Sequence, residues 1–144
     1  MPSLRRAAPG DAGALAACID AAYAGYREAG IDLPPVSEGV ADDIRDHLVW
    51  VAVHDNQIVG GLVLVIREDV ALIANVAVHP DATGTGLGRA LMQQAETEAR
   101  KRGLPRMTLT THADMPGNVR LYEHLGWRET SRDGTKVRME KAIA

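Results

Sequence analysis

Thr83-Gly84-Thr85-Gly86-Leu87-Gly88-Arg89 stands between an apolar run, Val70 to Val78, and a segment whose Leu87, Leu91, Ala95 and Ala99 recur at helical spacing. An extended apolar run followed by that period is a strand, a turn and an amphipathic helix. Glycines at every second position, Gly84, Gly86 and Gly88, let the backbone come close to an anion and point several N–H groups at it. The helix that begins here adds the positive end of its dipole. The other reading is a plain strand-to-helix turn, which rarely needs three glycines. The spacing therefore predicts a cradle for the phosphates of a coenzyme.

Two familiar phosphate loops do not fit. A dinucleotide fingerprint wants glycine where Arg89 stands, and a P-loop wants Gly-Lys followed by Ser or Thr. No acidic residue ends the next strand, Met107 to Thr111, to hold a ribose.

Working outward from the loop, Ser3 to Ala8 reads as a first strand, and Pro9-Gly10-Asp11 as a turn ending in a helix N-cap. Leu15, Ile19, Ala22 and Tyr26 make one face of a first helix, which Gly30 to Pro35 breaks. Ser37 can cap a second helix carrying Val40, Ile44 and Leu48. Trp50 to Val53, the turn His54-Asp55-Asn56 and Ile58 to Ile66 form a β-hairpin. Arg67-Glu68-Asp69 turns the chain into Val70 to Val78, so these three strands are consecutive and antiparallel. Beyond the glycine loop, a helix reaches about Arg102 and ends at Gly103. Met107 to Thr111 is a strand, Asn118 to Leu125 a short helix, and Trp127 to Ser131 and Val137 to Lys141 two strands around Asp133-Gly134. That order predicts an α/β (α+β) fold: a mixed, mostly antiparallel sheet of about seven strands with helices packed on it.

A chain of 144 residues falls in the range of one domain, and residues 1–144 are read as one. Hydrophobic residues make up 46% and charged residues 24%, the composition of a globular chain. Phe is absent, so Val, Leu, Ile and Ala must fill the core and each Trp or Tyr calls for a reason. A net charge of −3 gives no basic field, which argues against nucleic acid. Arg67, Glu68 and Asp69 interrupt the longest apolar stretch, which argues against a membrane span. Arg5-Arg6 followed by Leu15-Ala16-Ala17-Cys18 imitates a lipoprotein signal, but Pro9, Gly10 and Asp11 break the apolar region it needs. Cys18 is then a small core residue, and a lone Cys suits the cytoplasm.

The segment Val76-Ala77-Val78-His79-Pro80-Asp81-Ala82-Thr83-Gly84-Thr85-Gly86-Leu87-Gly88-Arg89-Ala90-Leu91-Met92 resembles the central motif of the GCN5-related N-acetyltransferases, the GNAT family. Met115-Pro116-Gly117-Asn118-Val119-Arg120-Leu121-Tyr122-Glu123-His124-Leu125-Gly126-Trp127 resembles that family's second motif, and Met139-Glu140-Lys141 its usual last strand. Two residues depart from the pattern. Thr83 stands where the family usually has Arg or Gln, and Ala74 where a strand-four acid, the usual general-base candidate, is common.

The resemblance implies a sheet splayed between the fourth and fifth strands, with acetyl-CoA in the cleft and no metal. Val76, Ala77 and Val78 would line the acetyl and pantetheine arm, and Gly84, Thr85, Gly86, Leu87, Gly88 and Arg89 would hold the pyrophosphate. Tyr122 takes the place of the general acid that protonates the CoA thiolate, although Leu121, Tyr122 and Leu125 also read as a core stripe. Asn118 can cap the short helix, bond the coenzyme, or do both. The acceptor, a primary amine of a small molecule or peptide, would enter over the first two helices. Glu28, Asp32, Glu38, Asp42 and Asp43 make that region acidic, or simply solvated. His79, His112 and His124 read as surface residues. A non-catalytic acyl-CoA sensor is the alternative, and a C-terminal edge strand allows a homodimer.

Overall fold

The computed structural model describes residues 2–28, 30, 39–112 and 116–143, with the backbone alone at 25–27, 112 and 116–118. A seven-stranded sheet runs in the order β1-β2-β3-β4-β5-β7-β6. Its strands are β1 Ser3–Arg6, β2 Leu48–His54, β3 Gln57–Arg67, β4 Val70–Val78, β5 Arg106–His112, β6 Arg128–Asp133 and β7 Lys136–Ala142. Among the described strands, only the β4–β5 pair is parallel. The helices are α1 Ala12–Glu28, α2 Val40–Asp46, α3 Leu87–Lys101 and α4 Pro116–His124.

Alternation along the strands divides the core into two layers. Val49, Val51 and Val63 pack with Leu15 and Ile19 of α1 and Val40 of α2. Trp50, Ala52, Leu62 and Leu64 pack on the other face with Leu87, Leu91, Ala95 and Ala99 of α3, and α4 joins them through Val119 and Tyr122, with Leu125 just beyond its end. The stripe predicted for α3 is buried throughout, at 1% exposure or less.

Gly60 and Gly61 in β3 set how closely both layers approach. A Cβ on Gly61 would collide with the side chain of Leu15 in α1. One on Gly60 would lie 2.9 Å from Leu87 Cδ2 in α3 and 3.1 Å from the Ala77 carbonyl oxygen. Neighbouring glycines thus seat one helix on each face.

Several boundaries move. Leu48, expected on the second helix, opens β2: α2 stops at Asp46, and His47 is extended at φ −131. Pairing of Leu48 with Leu64 across the sheet outweighs the helical spacing. Asp11 does not cap α1 forwards, because its carboxylate accepts from Ala8 N–H at 2.7 Å and from the Arg5 guanidinium, closing the 3-10 turn Pro9–Asp11. That pairing holds the Asp11 carboxyl below its usual range. Trp127 precedes β6 rather than opening it. The last strand, β7, lies inside the sheet, and the charged strand β6 forms the edge. Ser37 and the 31–35 break lie outside the described residues.

No described helix is long and apolar enough to cross a membrane, and no described group of three His, Cys, Asp or Glu is placed to hold a metal.

Two outcomes follow from this packing. Gly60→Ala should lower unfolding free energy by about 1–3 kcal/mol in a urea titration, because Leu87 and the Ala77 carbonyl must both yield. Cys18 is 2% exposed, and burial pushes its thiol up to about 11. It should resist a disulfide reagent at pH 8 in the native protein and react fully in denaturant.

Candidate active site

The site is built on β4. From Val70 to Ile73 this strand pairs with β5; beyond Ile73 it pairs with β3 alone, while β5 beyond Leu109 pairs with β7 alone. The two strands part as predicted, leaving one side of β4 without a strand partner among the described residues. Ala74 sits at the parting as the extra residue of a β-bulge, since Ile73 faces Leu64 and Asn75 faces Val63. A bulge reverses the alternation. Ala71 and Ile73 belong to the α3 layer, and after Ala74 so do Val76 and Val78, while Ala77 turns to the α1 layer.

The backbone turns with the side chains. His79 N–H donates to the Val59 carbonyl at 2.8 Å, so residues 77 and 79 address β3. The Val76 carbonyl instead accepts a long hydrogen bond, 3.5 Å, from the Tyr23 hydroxyl of α1. Both polar groups of a residue in an antiparallel strand point the same way, so Val76 and Val78 present theirs to the gap.

The loop after β4 is tied from within. His79 Nδ1 accepts from Asp81 N–H at 3.1 Å, Thr83 Oγ1 donates to the Pro80 carbonyl at 2.9 Å, and Thr85 Oγ1 donates to the Ala82 carbonyl at 2.6 Å. Thr83, where the family pattern has Arg or Gln, therefore spends its hydroxyl on the loop. Gly84 and Gly86 take φ +80 and +83, with open space where a Cβ would stand. The first helical bond of α3 runs from Ala90 N–H to the Gly86 carbonyl, so the amides of Leu87, Gly88 and Arg89 are not used by the helix. These donors and the dipole suit an anion.

α4 ends in a Schellman motif: Trp127 N–H donates to the Tyr122 carbonyl at 2.9 Å and Gly126 N–H to that of Glu123 at 3.1 Å, with Gly126 at φ +97. Trp127, buried, packs its ring 6.2 Å from that of Tyr122. Gly126 and Trp127 thus fix the Tyr122 ring.

A cavity of about 190 Å³ fills the gap. α1 contributes Ala22 and Tyr23, β4 Val76, Ala77 and Val78, the loop Thr83, α3 Gly88 and Met92, and α4 Leu121 and Tyr122. Five predicted site residues, Val76, Ala77, Val78, Gly88 and Tyr122, are brought together there. The others are placed around it. Leu87 is core and offers only its amide; Thr85 lines a larger cavity of about 1070 Å³ beside Arg5, Cys18 and His79; Arg89 lines a small recess with Glu96 and Lys141. The side chains of Asn118 and His112 lie outside the described residues, as do Asp32 and Glu38. Of the other histidines, His79 caps its turn and His124 is exposed. Of the acidic residues of the first two helices, Glu28 is exposed, Asp42 pairs with Arg45 at 3.1 Å, and burial raises the Asp43 carboxyl.

Tyr23 is the aromatic lining residue that the sequence reading missed, along with Ala22, Met92 and Leu121. It falls between Ile19, Ala22 and Tyr26 of the predicted face, and its only signal was the scarcity of aromatics.

A model of the acetyltransferase (GNAT) family matches residues 16–127. The ribosomal protein bS18-alanine N-acetyltransferase of Escherichia coli (strain K12) is 40% identical over 63 residues, covering 44% of this chain and 43% of that protein. Mycothiol acetyltransferase of Thermobifida fusca is 37% identical over 78 residues, 54% of this chain and 23% of that one. The chain thus spans less than half the length of these curated relatives. Among solved structures, the PaiA N-acetyltransferase of Thermoplasma acidophilum in complex with coenzyme A superposes with a TM-score of 0.86 at 23% identity, covering 99% of both chains. The E. coli S18-alanine N-acetyltransferase gives 0.82 at 23% identity, over 100% of this chain and 95% of that one. With the family model running from α1 through the glycine loop to Trp127, the chain belongs to the acetyltransferase (GNAT) family.

Proposed function

We propose that this chain is an N-acetyltransferase that moves the acetyl group of acetyl-CoA to a primary amine of a small molecule or peptide by direct attack. The observation that carries it is the cavity in the β4–β5 gap, where the backbone of Val76 and Val78, the start of α3 at Gly88 and the phenol of Tyr122 meet. That set fits the coenzyme: amide donors with open space above the glycines for a pyrophosphate, and a strand side without a partner for an extended arm. The named relatives and the coenzyme-bound PaiA structure support the same reading.

Acetyl-CoA supplies the activated acyl group: the amine nitrogen forms the new C–N bond, the C–S bond breaks, and the sulfur leaves with the electron pair. The backbone N–H of Val76 or Val78 steadies the charge that develops on the carbonyl oxygen. Tyr122 gives its phenolic proton to the leaving sulfur and regains one from the attacking amine through water. Ala74, at the bulge, offers no carboxylate as base, so the amine loses its proton to water or to a more distant group. The same alanine favours the second reading, a coenzyme-binding sensor without turnover.

A thiol-release assay over a panel of amines separates the two. Transfer to at least one amine is expected; binding without an acetylated product would establish the sensor. Acetyl-CoA at a hundred times its Kd should stabilise the fold by about 2.7 kcal/mol, read as a rise in Tm. Tyr122→Phe keeps the packing against Trp127 and should lower kcat about a hundredfold at unchanged coenzyme affinity. Gly88→Val is a cleaner probe of the cradle than a change at Gly86, whose φ of +83 strains any side chain. A Cβ at Gly88 meets only Val78 Cγ2 at 3.8 Å, so the variant should fold and bind coenzyme at least tenfold more weakly by calorimetry.

A further inference from the structure

We infer that the ion pair between Glu96 and Lys141 positions the acid of the site: it holds the turn after α4, and with it the Tyr122 ring, against the helix that carries the coenzyme cradle. The inference rests on the transferase reading above and concerns how that site is held together.

The two working ends of the site hang on different helices. The amide donors open α3, and Tyr122 stands near the end of α4. Transfer needs the phenol within hydrogen-bond reach of a sulfur whose place the cradle sets. A misplacement of about 1 Å in such a geometry costs about a hundredfold in rate, so whatever fixes one helix against the other contributes to turnover.

Glu96 and Lys141 make that connection. Glu96 is on α3 and Lys141 in β7, 45 residues away, and Lys141 Nζ donates to Glu96 Oε2 at 3.1 Å. With side chains 22% and 17% exposed, this is the most enclosed ion pair among the described residues, and no other described pair links an α-helix to a strand. Attraction between partly buried charges is screened less than at the surface.

The lysine stem runs beside the turn that fixes Tyr122. Lys141 faces Met107, a residue of the α3 layer. Arg128 faces Glu140, and one step further along that register Trp127 stands next to Lys141. Lys141 Cε lies 3.5 Å from where a Cβ on Gly126 would be, and Lys141, Glu96 and Trp127 share one small recess. Trp127 packs on the Tyr122 ring and donates its N–H to the Tyr122 carbonyl at 2.9 Å. A continuous run of contacts thus leads from α3 through the ion pair and Trp127 to the phenol. Glu96 also pairs with Arg100 at 2.7 Å, so loss of the lysine charge does not strand the carboxylate.

Lys141→Met in the full chain tests this, because it keeps a stem beside Gly126 and leaves Glu96 paired with Arg100. With the amine that wild type acetylates best, kcat should fall about fivefold at unchanged calorimetric Kd for acetyl-CoA. Tm should fall by less than about 5 °C. Lys141→Arg, which still reaches the carboxylate, should restore kcat. A double-mutant cycle asks whether the effect passes through the phenol: in a Tyr122→Phe background, Lys141→Met should cost nothing further. An unchanged kcat in Lys141→Met overturns the proposal. So does a loss that persists in the Tyr122→Phe background, or a weaker coenzyme Kd together with a larger fall in Tm. Tyr122→Phe alone reports on the acid: if it leaves kcat unaffected, the acid reading fails and takes the positioning role with it. A large loss in Tyr122→Phe beside an unaffected Lys141→Met removes the ion pair alone.

Discussion

Four residue pairs, from Val70 with Arg106 to Ile73 with Leu109, join one half of the sheet to the other. On one side lie β1 to β4 and on the other β5, β7 and β6. A parallel pair so short needs reinforcement, and α3 supplies it by packing across the join: Ala71 and Ile73 of β4 share a core with Met107 and Leu109 of β5 and with Leu91, Ala95 and Ala99. Because the join is firm below Ile73, the strands can part above it without the sheet coming apart. The gap is what the rest of the site requires. It exposes one side of β4 to a ligand and admits α1 and α4 to the opening from opposite faces.

The bulge at Ala74 adds the second condition. Without the extra residue, alternation would turn Val76 and Val78 towards α1 and leave Ala77 to face the gap. With it, the carbonyl of Val76 reaches Tyr23 and those two valines face the layer of α3. The start of α3 is placed by another strand, since Leu87 lies against the bare backbone of Gly60. Close packing at β3 thus sets where the donor amides stand, and the hydroxyls of Thr83 and Thr85 keep the loop leading to them in one shape. Tyr122 is set by backbone geometry as well, through the left-handed turn at Gly126 and the ring of Trp127.

Much of this was legible in the chain, because the signals are local. The α3 stripe, the paired hydrophobic strands and the three glycines each act within a few residues, and the element order they predict is the one observed. Misreadings occurred where another partner outweighed the expected one, across the sheet for Leu48 and a few residues upstream for Asp11. Leu48 continues the spacing of Val40 and Ile44, yet its partner is Leu64 in β3. Asp11 has the chemistry of a forward cap, yet Arg5 and the Ala8 amide claim its carboxylate.

The sequence by itself determined the helices and strands on either side of the loop, their order and the glycine spacing between them, since periodicity and glycine spacing are properties of neighbouring residues. Only the tertiary structure decided which residues meet. Tyr23 and Tyr122 are far apart in the chain, and nothing near either one predicts that both line a single cavity. The parting of β4 from β5 brings them together, and the bulge at Ala74 aims the backbone between them. Both depend on pairing between strands, and the spacing of residues along a single strand does not encode its register with another.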